Sequence, residues 1–387
     1  MKILITSDWY APVINGVVTS VLLLKRELER RGHEVRVVTL SASLRSHREG
    51  EVYYIGSVSA DRVYPDARVR MNRTKRLIRE LVEWRPDIVH SQCELSTFRI
   101  ARQIARRCRI PMVHTYHTVY EDYTHYFSPS KRLGRRVVSA FSRWVGKRTA
   151  CIVAPSRKVK RLLEEYGIAC RIEVIPTGTD LSAYRQERDP LAPAQLRRRL
   201  GIPEEHRVLL YLGRLAREKN LDTVLDLLAE TGRKDFTFLV VGDGPHGEAL
   251  RRHGADMPYP VIFTGMVSHR QVPDYYPLGE LFLTASTSET QGLTYFEALA
   301  AGVPVLCRKD PCVDGVIENG VNGWQYEGDA DFLARLEEFF GDETLGSRLS
   351  AGAKASAEKF SAEHFGESME RLYLSLIGEN KTAFGEN

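Results

Sequence analysis

RVLLYLGRLAREKN, from Arg207 to Asn220, is an apolar run of strand length that stops at a glycine and continues into a cationic loop. Short runs rich in Leu and Val without polar alternation predict strands buried on both faces, as in parallel sheets. Gly213 lets the chain turn tightly off the strand's carboxyl end. Arg214 and Lys219 follow there, where ligands of such sheets lie. A planar guanidinium fork beside an ammonium point charge suits a diphosphate. A helix opening behind the loop would add free backbone N–H groups.

The same unit recurs on both sides. KILITS, HEVRVVTL, DIVHSQ, PMVHTYH, CIVAPS and RIEVIPTG read as strands before residue 185, with amphipathic helices such as NGVVTSVLLLKRELERRG between them. FTFLVVGDG, VIFTGM, ELFLTAS and VPVLC continue the series after RVLLYLG. Between the two lies YRQERDPLAPAQLRRRLGIPEEH, polar and proline-containing. This order predicts an α/β protein of two doubly wound halves, residues 1–185 and 186–364, with ligands at the strands' carboxyl ends.

A chain of 387 residues suits two such domains. The 43% hydrophobic and 27% charged content is that of an ordinary globular protein, and no apolar run reaches the roughly 20 residues of a spanning helix. MKILITSDWY enters a strand at once, unlike a signal peptide. Cysteines 93, 108, 151, 170, 307 and 312 show no metal or disulfide spacing and predict free thiols in a reducing, cytoplasmic setting. The net charge of +5 hides a division: residues 1–185 carry 34 Lys+Arg against 18 Asp+Glu, and the rest 21 against 32. The basic half faces a membrane surface or nucleic acid, or is merely a lopsided solubilising surface.

In SETQGLTYFEALAAG, Ser288 to Gly302, two glutamates stand eight positions apart. LTYFEALAAG reads as a helix closed by Gly302, which puts Glu289 in a loop and Glu297 about one turn into the helix. At about 1.5 Å of rise per residue this spacing fits a clamp on a bound ligand better than a hydrolytic acid–base pair. The amides of Gly292, Leu293 and Thr294 at the helix start would meet an anion. Asn15 and Gly16 begin another helix after the first strand and form a second anion-site candidate. Asp243 of GDGP reads as turn chemistry, and Asp329–Asp331 as an N-cap rather than a metal motif.

NGV, GRLAREKN, GDGP, FTGMVS and ETQGLTYFE occur in the order found in retaining glycosyltransferases of family 4, which the chain resembles over nearly its whole length. The resemblance implies a GT-B fold, two Rossmann-like domains facing across a cleft, with a final helix from about 365 to 387 returning to the first domain. It implies a nucleotide sugar as donor and no essential metal or other cofactor. Glu289 would contact the transferred sugar, Glu297 the ribose, and Arg214 and Lys219 the diphosphate. Backbone at Gly265, Met266 and Val267 would meet the base, and His117 the donor sugar near the reacting carbon.

HTYHTVYEDYTHYF, His114 to Phe127, resembles bacterial diacylglycerol glucosyltransferases, which implies UDP-glucose as donor and a lipid acceptor approached by Tyr120, Asp122 and Tyr123. Tyr123 to Leu163 contains eleven Lys/Arg and no Asp or Glu. Within it Leu133, Val137, Phe141, Trp144 and Val145 share one helical face, with Arg135, Arg136 and Arg143 around them. Basic amphipathic helices with Trp and Phe dock on anionic membrane surfaces, which predicts a peripheral protein on the inner membrane face. Other readings are a phosphatidylinositol or soluble acceptor with a GDP-linked donor, a glycoside hydrolase, and a nucleic-acid binder. The phosphate-binding loops oppose the hydrolase, and the lack of any nucleic-acid motif opposes the binder.

Overall fold

The computed structural model describes residues 1–13, 15–59, 68–70, 75–119, 131–185, 191–268 and 270–384. The chain divides into two compact units, Met1–Gly178 with Ala362–Asn387, and Thr179–Ser361. The division thus falls after Gly178, and the polar stretch from 184 to 206 belongs to the second unit.

The first unit begins with β1 (Lys2–Thr6), α1 (Gly16–Arg30), β2 (Glu34–Leu40), β3 (His47–Glu49), β4 (Val52–Ile55), β5 (Ser57–Ser59) and β6 (Arg68–Arg70). It continues with α2 (Lys75–Glu83), β7 (Ile88–Ser91), α3 (Ser96–Cys108), β8 (Met112–Thr115), α4 (Lys131–Gly146), β9 (Cys151–Ala154), α5 (Arg157–Glu165) and β10 (Arg171–Val174). The main sheet runs β10-β9-β8-β7-β1-β2-β4-β3, parallel except for β3, and β5 pairs with β6 apart from it. β7, β8 and β9 are buried at every residue, as strands covered on both faces must be.

The second unit holds α6 (Ser182–Arg185), α7 (Ala192–Arg199), β11 (Arg207–Leu212), α8 (Leu221–Glu230), β12 (Phe236–Val241), α9 (Gly247–Ala255), β13 (Val261–Phe263) and α10 (Val272–Tyr275). β14 (Leu281–Thr284), α11 (Leu293–Ala300), β15 (Val305–Arg308), β16 (Gly323–Tyr326), α12 (Asp329–Gly341) and α13 (Leu345–Ala357) complete it. Its sheet order, β13-β12-β11-β14-β15-β16, is all parallel and reverses between β11 and β14. That is the Rossmann order, and the reversal is the switch point where such sheets bind ligands. In the first unit the strand order reverses between β1 and β7.

The final helix, α14 (Ala362–Phe384), packs in the first unit. Phe365, Met369, Leu372, Tyr373 and Leu376 share a core with Ile3, Ile5, Val21 and Leu24. A Cβ on Gly366 would stand 2.6 Å from the Glu27 Cβ, so glycine permits the close crossing of α14 over α1. Among the described residues no helix is long and apolar enough to cross a membrane.

Candidate functional site

In the second unit the loops after β11 and β14 flank the switch point and are tied together. Asn220 in left-handed conformation ends the short 3-10 turn Arg217–Lys219, and its side-chain amide donates to the Ala285 carbonyl at 3.2 Å. Lys219 Nζ donates to Glu289 Oε1 at 2.5 Å. Two residues 70 positions apart thus form an ion pair at the carboxyl ends of adjacent strands. Arg214 is 57% exposed and pairs with Glu218, one turn along the same loop.

Turns behind this pair lock the loops in place. Gly242 has φ 129°, and a Cβ there would lie 2.1 Å from the Gly213 carbonyl oxygen, so only glycine allows the β11 and β12 turns to touch. The Gly242 N–H donates to Gly265 O at 3.1 Å, which adds the β13 turn. Beyond Gly265, Met266 is 77% exposed while Val267 packs on the core. Asp243 accepts from the Gly244 N–H and pairs with Arg251, a turn role.

Gly292 caps α11 at φ 73°, and a Cβ there would meet the Tyr295 ring at 2.5 Å. The helix start leaves the first amides, those of Leu293 and Thr294, without intrahelical acceptors. Glu297 is one turn on and accepts from the Tyr276 hydroxyl at 2.8 Å. Desolvation lifts its carboxyl to about 7, although the Tyr276 bond works the other way. Glu289 and Glu297 therefore have separate partners, a cation for one and a phenol for the other. Asp329 and Asp331 need correcting: Gly328 is the N-cap of α12, and the aspartates occupy its first turn. Asp331 reaches back to the Glu327 N–H and pairs with Arg335.

In the first unit Asn15 caps α1, its side chain accepting the Val18 N–H at 2.9 Å, and Gly16 is the first helical residue. The cap thus uses one of the amides an anion would need. His117 follows β8, partly open to solvent, with Nε2 2.7 Å from Gln92 Oε1. Desolvation pushes it down to about 4, with His114 adding to this and Glu94 opposing it, so it is neutral at pH 7. Tyr120, Asp122 and Tyr123 lie outside the described residues.

No local signal marks Glu94 and Asp8 as neighbours of the strand end that carries His117. Glu94, 6% exposed, sits 3.2 Å from His114 Nε2. Asp8 accepts the Thr97 and Ser96 N–H groups at 2.7 and 3.3 Å, which fixes the start of α3, and burial raises it to about 6. Asp8 and Glu94 follow β1 and β7, the strands of the reversal, but strand order is not legible in a linear chain. Tyr276 carries no local signal at all.

On α4, Leu133 and Val137 are each 53% exposed, whereas Val145 is fully buried. Phe141 and Trp144 stack on each other, and Trp144 also packs against Phe98 of α3. The predicted apolar face is therefore divided: its first half is open and its second half joins the core, because α3 lies against it. Arg143 donates to the Tyr166 carbonyl at 2.8 Å and Arg135 pairs with Glu165 at 2.7 Å. Among the described residues no carboxylate pairs with the exposed Arg136. No group of three or more His, Cys, Asp or Glu among the described residues is arranged to hold a metal ion.

Residues 14–183 match Glycosyltransferase Family 4, and residues 194–356 match Glycosyl transferases group 1. Alpha-monoglucosyldiacylglycerol synthase of Streptococcus pneumoniae is 32% identical over 98% of this chain and 87% of its own length. The protein of that name from Acholeplasma laidlawii is 32% identical over 98% of each chain. Among solved structures, HepE of Anabaena in complex with UDP superimposes with a TM-score of 0.73 at 18% identity, over 97% of this chain and 100% of the other. That likeness speaks for the fold.

Proposed function

The chain belongs to glycosyltransferase family 4, and we propose that it moves glucose from UDP-glucose onto diacylglycerol at the cytoplasmic membrane face, with retention of anomeric configuration. It is a glycosyltransferase of GT-B fold, built from two Rossmann-like α/β units. The donor and acceptor are inferred from the two glycolipid synthases it resembles. The observation that carries the reading is the Lys219–Glu289 pair at the switch point of the second sheet.

Breaking the anomeric bond leaves negative charge on the departing diphosphate. Lys219, Arg214 and the amides at the start of α11 would stabilise it as preorganised donors, without a metal. Until the donor arrives, Glu289 holds the Lys219 ammonium in place. Once the diphosphate takes up that charge, Glu289 is free to accept hydrogen bonds from the sugar hydroxyls. Glu297 would take the ribose hydroxyls, and neutral His117 would bond the sugar near its reacting carbon. The acceptor oxygen attacks the anomeric carbon on the face the diphosphate leaves. The carbon–oxygen bond to diphosphate breaks, and the acceptor's proton passes to the leaving phosphate oxygen. The exposed start of α4, with Leu133, Val137 and Arg136, would rest on an anionic membrane surface.

Radiolabelled transfer from a panel of nucleotide sugars into lipid extract tests this. Label from UDP-glucose should appear in a monoglucosyl lipid, and label found only in water-soluble product would overturn the lipid acceptor. Lys219→Ala and Glu289→Ala should each lower transfer at least 100-fold, about 3 kcal/mol of barrier, with unchanged circular dichroism. Near-normal turnover in either would remove that residue from the site.

A further inference from the structure

Two bonds from one residue bracket the segment that carries Lys219. The His246 N–H, in the turn after β12, donates to the Leu215 carbonyl at 3.0 Å. Its imidazole Nε2 lies 2.7 Å from Asp222 Oδ2, in the first turn of α8. Residues 215 to 222 are therefore held at both ends by His246, with the 3-10 turn Arg217–Lys219 between the anchors.

The two anchors differ in kind. At the first, backbone touches backbone: the Leu215 N–H donates to the Asp243 carbonyl at 3.0 Å, and a Cβ on Gly244 would stand 2.4 Å from the Leu215 carbonyl oxygen. The second depends on side chains. His253, two turns along α9, puts Nδ1 3.3 Å from Asp222 Oδ1 and Nε2 2.8 Å from Asp226 Oδ1. Desolvation works against ionising Asp222, yet the bonds from His246 and His253 hold its carboxyl below the ordinary range. An ionised carboxylate only accepts, so both imidazoles donate to it, one to each oxygen. His246 is also the N-cap of α9 but makes no side-chain bond to that helix. A capping side chain ordinarily serves the free amides of its own helix. This one serves the neighbouring loop instead.

The loop has reason to need it. A lysine ammonium is a point charge on a flexible stem, and it stabilises developing charge best when already aimed. The next residue, Asn220, turns the chain at φ 52°, a left-handed conformation that is costly outside glycine. The direction in which Lys219 leaves the backbone thus depends on how the segment is closed beyond it. We propose that His246 and Asp222 are positioning residues for the donor diphosphate: their bond closes the segment from 215 to 222 and so aims the Lys219 ammonium. The inference rests on the reading that Lys219 meets the diphosphate. Both residues act through Lys219 rather than on the donor.

The test uses the full chain, with UDP and uridine affinities measured by titration calorimetry. His246→Leu keeps the backbone bond to Leu215 and removes the one to Asp222. It should weaken UDP binding about 10-fold while uridine binding holds, because a misaimed cation is felt only by the phosphates. His246→Gln, whose amide can still donate to Asp222, should recover most of that loss. Added to Lys219→Ala, His246→Leu should cost no more than about twofold further, since the two residues share one contact. Asp222→Ala breaks the same bond from α8 and should match His246→Leu, which keeps the proposal testable if the leucine variant does not fold. Equal losses for UDP and uridine, or the same loss persisting in the Lys219→Ala background, would make the cluster a stitch between α8 and α9 and overturn the positioning role alone. If Lys219→Ala by itself keeps the UDP-to-uridine ratio of the unmutated protein, the diphosphate reading fails and takes the positioning role with it.

Discussion

Glu297 shows how one residue's environment makes a measurable demand. Its carboxyl titrates near 7, and the ribose hydroxyls are expected to donate to the ionised form. Donor binding should therefore strengthen as pH rises from 6 to 8. KM for UDP-glucose should fall over that window in the unmutated protein and stay flat in Glu297→Gln, and an unmutated profile without inflection would sink the role. Asp8 makes a different demand, on stability. Its folded pKa of about 6 lies above its unfolded value, so the folded state binds more protons between about pH 4 and 6. Unfolding free energy should thus fall by about 2–3 kcal/mol as pH rises through that range. Asp8→Asn should abolish this slope in urea melts at stepped pH. Neither carboxyl was legible as perturbed, because burial and the Thr97 and Tyr276 partners come from distant segments.

Among the elements, α4 separates what periodicity reveals from what packing decides. The spacing of Leu133, Val137, Phe141 and Trp144 marks an apolar stripe, yet periodicity alone is blind to where α3 lies. The structure leaves Leu133 and Val137 open and buries Val145. Leu133→Asp with Val137→Asp should reduce flotation with anionic liposomes at least fivefold while shifting Tm by less than about 2 °C. Trp144→Ala should instead destabilise by about 2–4 kcal/mol, since it removes packing against Phe98 and Phe141. Equal loss of flotation and stability in the aspartate variant would make the whole stripe structural. The helix α11, by contrast, was readable to within two residues. Its glycines at 292 and 302 bound it, and both adopt the left-handed conformation that glycine tolerates.

For the whole molecule, the last helix completes the first unit's core although it follows the second unit in sequence. Tyr373 donates to or accepts from His90 Nδ1 at 2.6 Å, and Glu370 holds Arg31 and His33. Removing residues 362–387 should leave the first unit without its covering helix, so thermal melts should lose their first-unit transition while UDP binding survives in the second. Retention of both transitions would show that α14 is dispensable. The sequence by itself determined the α/β class, the parallel strands and the cationic loop that follows a strand at Gly213 to Lys219, because burial pattern and turn chemistry are local and recur with fixed spacing. It also set Glu289 in a loop and Glu297 in a helix. Only the tertiary structure decided which strands stand beside the reversals, and so paired Lys219 with Glu289 across 70 positions and His114 with Glu94 across 20. Those pairings depend on sheet order and on distant chains excluding water, which no local stretch encodes.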